Sequence, residues 1–140
     1  TSTIIGSWQS LGADDLDATP VAVDGDVVYI GLYGFGILVV DRLTGDISEH
    51  WTQDANTLPD DDVLSLEMDD YGGLLVGTEG AFSRYDGNTW TTMTSSGGWW
   101  SRPTVFYDVT SDGDGMYAGT NRGACKWDWQ YQFQDFCIKL

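Results

Sequence analysis

The chain of 140 residues holds little of what active-site chemistry draws on. His50 is its single histidine, and Cys125 and Cys137 are its two cysteines. A nucleophile–histidine–acid set would have to use His50, which sits beside Glu49 in an expected outer strand, so the chain reads as non-enzymatic. Two thiolates alone cannot complete a tetrahedral zinc site. Six Lys+Arg stand against 22 Asp+Glu, a formal net charge of −16. That balance offers no basic patch to nucleic-acid phosphate or to an anionic membrane surface. No apolar run approaches the roughly 20 residues of a helical membrane span, and no signal-peptide pattern opens the chain at Thr1. Sustained helical periodicity is also missing. The run Gly31-x-x-Gly34-x-Gly36 therefore lies between strands and is no dinucleotide-binding loop.

What is plentiful is turn chemistry and aromatic bulk. Nineteen of the acids are Asp and three are Glu, beside 18 Gly and seven Trp. Asp and Gly favour turns, whereas Glu and Lys favour helices. Aromatics make up 14% of the chain, too many for a disordered one. The composition predicts an all-β protein with many turns. High acidity with little Lys also suits a secreted protein in salty water, where repulsion is screened.

Three segments repeat: Thr19–Trp51, Asp61–Met93 and Pro103–Phe136. Glycines Gly31, Gly77 and Gly119 recur at steps of 46 and 42 residues, and Asp41, Asp86 and Asp128 at steps of 45 and 42. Trp8, Trp51 and Trp90 recur at steps of 43 and 39, and are expected as wedges between neighbouring units. A period of 40–45 with several short strands per unit marks a β-propeller blade. The second unit shows four strands: VLSLEM, LLVGT, AFSRYD and TWTTM, separated by Gly, Asp and Asn turns.

Leu58-Pro59, Asp69/Asp70 with Gly72-Gly73, Gly77-Thr78, Gly80, Tyr85-Asp86 and Trp90 together resemble the propeller repeat of sensor regions in two-component regulators. The third unit keeps Gly119-Thr120, Gly123 and Trp127-Asp128, and the first has Gly31-Leu32 in place of Gly-Thr. The Trp usual before Gly-Thr is replaced by Leu75, Tyr29 and Tyr117. The resemblance covers most of the chain and implies β-propeller-type, four-stranded antiparallel blades. It does not imply one function, since such repeats serve sensors, adhesins, lectins and enzymes.

Residues 1–11 match the outer strand of a blade, so the expected organisation is an orphan strand at 1–11 and blades at 19–53, 58–94 and 103–140. Three blades leave open sides, and propellers close with four to eight. The chain is then an incomplete propeller: a piece of a longer one, a ring completed by other copies, or a subunit that donates its first strand to a neighbour.

Cys125 and Cys137 bracket a hairpin centred on Tyr131 and would face each other across the last two strands, within reach of a disulfide. A disulfide implies an oxidising, extracellular setting, secreted or on the cell surface. The turns Asp24-Gly25-Asp26, Asp69-Asp70 and Asp112-Gly113-Asp114-Gly115 take the same place in each unit. Turn formation explains them, and Ca²⁺ bound by Asp112 and Asp114 is the functional alternative. The run Asp60-Asp61-Asp62 is a second acidic candidate that reads more simply as solvated.

One end of the blades collects the candidate binding residues: Tyr33, Phe35, Trp99, Trp100, Asn121 and Arg122. Acidic neighbours there include Asp14, Asp15, Asp17, Asp54, Asp60, Asp61, Asp62 and Glu79. Trp99-Trp100 lie in a Gly/Ser loop, where they either stack on a ligand or fill a gap between blades. The sialidase pattern Ser-x-Asp-x-Gly-x-x-Trp is not met at Thr110–Tyr117. The sequence thus points to an extracellular, non-catalytic module that presents loops to a glycan or a protein. One alternative is a structural subunit polymerising by strand addition through residues 1–11. Another is a fragment of a propeller lyase or glycoside hydrolase.

Overall fold

In a computed structural model, the described residues are 18–54, 58–93, 105–121, 123–128 and 134–138. Trp8 and the expected orphan strand at 1–11, together with Trp99, Trp100 and Arg122, lie outside them. Twelve strands form among the described residues, with no helix. The first sheet has β1 (Ala18–Asp24), β2 (Val27–Leu32), β3 (Gly36–Asp41) and β4 (Ile47–Trp51). The second has β5 (Val63–Met68), β6 (Leu74–Thr78), β7 (Phe82–Tyr85) and β8 (Trp90–Met93). The third has β9 (Phe106–Ser111), β10 (Gly115–Thr120), β11 (Gly123–Asp128) and β12 (Gln134–Ile138). Each is a four-stranded antiparallel meander in chain order. The first strands line up, β1 against β5 and β5 against β9, as in propeller-type blades.

Aspartate builds the turns. The Asp41 Oδ1 accepts the Leu43 and Thr44 N–H groups, and Asp86 does the same for Asn88 and Thr89. Asp41 ends β3 and Asp86 directly follows β7, so the Asp recurrence in the sequence is a recurrence of side-chain-capped turns. Asp112 Oδ1 accepts from Asp114 and Gly115, and Asp69 Oδ1 from Tyr71 and Gly73.

Asp69 does more than cap. Its carboxylate is buried and meets Arg84 Nε on β7 at 2.5 Å. Burial pushes its carboxyl up, but the Arg84 guanidinium and the Gly73 and Tyr71 N–H groups outweigh it and hold it below the usual carboxylate range. A Cβ at position 73 would run into that guanidinium, which explains why a glycine stands there.

Apolar faces close the sheets onto one another. Between the first and second sheets lie Ala22, Ile37, Val39, Trp51, Leu58, Val63, Leu74 and Val76. Trp51 touches rings from both sides: Tyr29 at 5.5 Å, Tyr85 at 5.0 Å and Trp90 at 5.6 Å between centroids. Its indole N–H donates to Glu49 Oε2 at 3.0 Å, so the buried ring keeps a polar partner. Trp51 and Trp90 are thus inter-blade aromatics, as their spacing predicts. Between the second and third sheets, Phe82 stacks on Trp127 at 5.0 Å with Phe106 beside them. Trp51→Ala should lower the unfolding free energy by about 3–5 kcal/mol, the range for emptying a buried aromatic site. Chemical denaturation read by near-ultraviolet circular dichroism measures it; a loss under about 1 kcal/mol would show that the ring is not a wedge.

Candidate functional site

The β2–β3 turn, Tyr33-Gly34-Phe35, carries the exposed aromatics of the candidate face. Tyr33 is 50% exposed and Phe35 42%. Gly34 and Gly36 flank Phe35 with φ of 85° and 81°, a left-handed backbone that L side chains avoid. Gly36 also lies against the Trp51 carbonyl, where a Cβ has no room. The turn is tied down on three sides. Gly34 and Gly36 N–H both donate to the Asp61 carbonyl at 3.0 Å, and Phe35 N–H donates to Leu32 O at 3.1 Å. His50 Nε2 on β4 donates to the Phe35 carbonyl at 2.6 Å. Two aromatic rings are therefore held in solvent by a well-bonded backbone.

Beside this turn the second sheet supplies carboxyls. Tyr33 OH donates to Glu79 Oε2 at 2.8 Å, and Glu79 N–H donates to the Asp62 carbonyl at 3.2 Å. Tyr33 also bridges Asp62 through the backbone. The Glu79 hydrogen bond, partial desolvation and the charges of Glu79, Asp62 and Asp60 push the Tyr33 phenol up to about 12. Partial desolvation, a hydrogen bond with Glu79 and the charges of Asp60, Glu79 and Asp61 push the Asp62 carboxyl up to about 6.

The run Asp60-Asp61-Asp62 is not simply solvated. Asp60 Oδ1 accepts the Asp62 N–H at 2.8 Å and Asp61 Oδ1 accepts the Gln53 N–H at 2.7 Å. The expectation of a loose acidic run overlooks the backbone donors that this link between sheets must satisfy. The pairing of Tyr33 with Glu79 spans 46 residues, and the repeat spacing is its single sequence signal, since both positions fall on the same kind of turn.

The remaining candidates separate from this group. Asn121 Oδ1 accepts the Val105 N–H at 2.9 Å and its own N–H donates to Val105 O, a clamp that fixes the entry to β9. Asp112, offered as a Ca²⁺ ligand with Asp114, spends one oxygen on two turn N–H groups and receives Tyr117 OH on the other at 3.0 Å. The Asp114 N–H, then Tyr117 OH and the Gly115 N–H, together outweigh partial desolvation and hold the Asp112 carboxyl below its usual range. Among the described residues, no group of three or more His, Cys, Asp or Glu is placed to hold a metal ion. Cys125 on β11 pairs in register with Cys137 on β12.

No family model matches the chain, and no curated protein does either. Solved structures share its fold. The extracellular domain of BT4673, a proposed hybrid two-component system of B. thetaiotaomicron, superposes with a TM-score of 0.73 at 16% identity, over 87% of this chain and 17% of that one. The extracellular domain of BT3049, a proposed hybrid two-component system of the same organism, gives 0.71 at 20% identity, over 89% of this chain and 16% of that one. The computationally designed Ika4 protein gives 0.66 at 15% identity, over 98% of this chain and 77% of that one. The chain thus spans about a sixth of the length of those two extracellular domains.

Proposed function

We propose that the chain is an extracellular, non-catalytic binding module that takes a glycan or protein ligand at the end bearing Tyr33 and Phe35. The observation that carries this reading is the pair of rings held half-exposed on a turn whose glycines and backbone hydrogen bonds fix it against the second sheet. Large rings in water cost solvation free energy, and rigid presentation lowers the entropy lost when a ligand stacks on them. The nearby carboxylates of Asp60, Asp61 and Glu79 supply acceptors for ligand hydroxyl or amide donors. The likeness to extracellular sensor domains supports the location and the binding role.

A second observation favours membership in a larger propeller. In register, Val21 pairs Ile30 as Leu66 pairs Val76, and Val23 pairs Val28 as Met68 pairs Leu74. Leu66 and Met68 are partly buried and pack against the core cluster between the first and second sheets. The equivalent Val21 and Val23 are 53% and 52% exposed. We infer that a further blade covers them.

The Cys125–Cys137 register also supports a disulfide between the last two strands, worth about 3 kcal/mol for a loop of this length. Two measurements test these readings. Titration of the module against soluble oligosaccharide and peptide panels should find a ligand whose affinity falls at least tenfold in Tyr33→Ala/Phe35→Ala. Unchanged affinity in that variant would remove the site. Thiol titration of the denatured, unreduced chain should detect no free thiol; two reactive thiols would remove the disulfide.

A further inference from the structure

We propose that the ligand of the Tyr33–Phe35 turn is a basic segment of a protein partner, one that sets a Lys or Arg side chain over the Tyr33 ring and against the carboxylates beside it. The inference deepens the binding role proposed for that turn and rests on it. Its template lies inside the molecule. On the third blade Tyr117 OH donates to Asp112 Oδ2 at 3.0 Å, and Lys126 Nζ stands 5.8 Å from the centroid of the Tyr117 ring. A cation within about 6 Å of a ring centroid is attracted by the negative face of the ring. A phenol that gives its hydrogen bond to a carboxylate is polarised by it, which makes that face more negative. Tyr33 makes the same bond, from its OH to Glu79 Oε2 at 2.8 Å, across the boundary between the first two blades. Its ring is half-exposed. The Lys and Arg side chains among the described residues are engaged elsewhere. Arg42 pairs with Asp26, Arg84 with Asp69, and Lys126 is the cation over Tyr117. His50 gives its Nε2 hydrogen bond to the Phe35 carbonyl.

The carboxylates that border the ring set the charge of the ligand. Asp62 Oδ1 lies 3.7 Å from the point a Cβ at position 34 would occupy, so it borders the aromatic turn itself. Asp60 Oδ2 lies 3.3 Å from the corresponding point at position 80, next to Glu79. Asp60 Oδ1 takes the Asp62 N–H, and its second oxygen remains to face a ligand. A glycan hydroxyl can bond such oxygens, but it leaves their charge uncompensated as the contact excludes water, and uncompensated charge is costly to desolvate. A Lys or Arg supplies the counter-charge, and its alkyl stem covers the apolar Phe35 ring. The formal net charge of −16 steers the same class of partner toward the molecule.

Three probes test the ligand class: tetralysine, tetraserine and maltotetraose. Each is titrated into the unaltered chain at low salt, and backbone amide NMR shifts are followed at Gly34, Phe35, Glu79 and Gly80. The amides of Asp24 and Gly25, in the acidic turn at the other end of β2, report plain charge attraction. Tetralysine should move the Tyr33 turn with an affinity at least about threefold above that at Asp24 and Gly25, the size of one exposed cation–π contact. Neither neutral probe should match it. Tyr33→Ser should remove the excess and leave the Asp24 response as it was. Equal tetralysine affinity at the two places, or an excess that survives in Tyr33→Ser, would overturn the proposal. The comparison within the unaltered chain decides the matter if that variant does not fold. A stronger response to tetraserine or maltotetraose removes the cationic class and leaves the binding role standing. A turn that responds to none of the three removes the cationic class and counts against the binding role as well.

Discussion

The indole of Trp51 fills the space between the first and second sheets, and the rest of this end of the molecule is arranged around it. Its ring meets Tyr29 of the first sheet and Tyr85 and Trp90 of the second. Its backbone carbonyl packs against Gly36, so the turn that carries Phe35 can form beside it because no side chain stands at that position. The apolar faces of a four-stranded sheet must be buried against another layer. Aromatic packing between sheets supplies what each lacks, and the Phe82–Trp127 stack repeats the device one blade further on.

The same requirement explains the free side. The first sheet buries Leu32, Leu38 and Ile47 toward its outer strands, while Val21 and Val23 on β1 stay half in water. Register makes those valines the counterparts of Leu66 and Met68, which the second sheet packs, partly buried, against the first. We infer that an apolar position partly covered in one repeat and open in the other marks a side that a further blade covers. A module of this kind gains its last increments of stability from whatever covers that side.

Much of the fold was legible in the sequence because it is local. Asp41 and Asp86 recur at fixed steps because side-chain-capped turns demand them, and a turn is specified within four residues; Gly31 and Gly77 recur inside β2 and β6, where a Cβ would run into packed neighbours. Trp51 was legible through its recurrence. The Phe82–Trp127 stack was not, because Trp127 falls outside the series formed by Trp8, Trp51 and Trp90. Nor was the Asp69–Arg84 pair, since an Asp before two glycines reads as turn chemistry and its ion pair depends on strand register. The candidate site was partly legible: Tyr33, Phe35, Asp62 and Glu79 all fell on one expected end. Which of them touch was not, because contacts across blades follow from how the sheets pack.

We infer that the blades are units of a larger stack whose open side is the Val21–Val23 face. The most direct measurement is the mass of the native particle by light scattering across a range of concentrations. It compares the chain with a Val21→Asp/Val23→Asp variant, whose side chains point into solvent and whose fold can be checked by circular dichroism. Association of the unaltered chain that is lost in the variant is the predicted result. A monomer in both, with identical mass at high concentration, would contradict the claim that this face seeks a further blade.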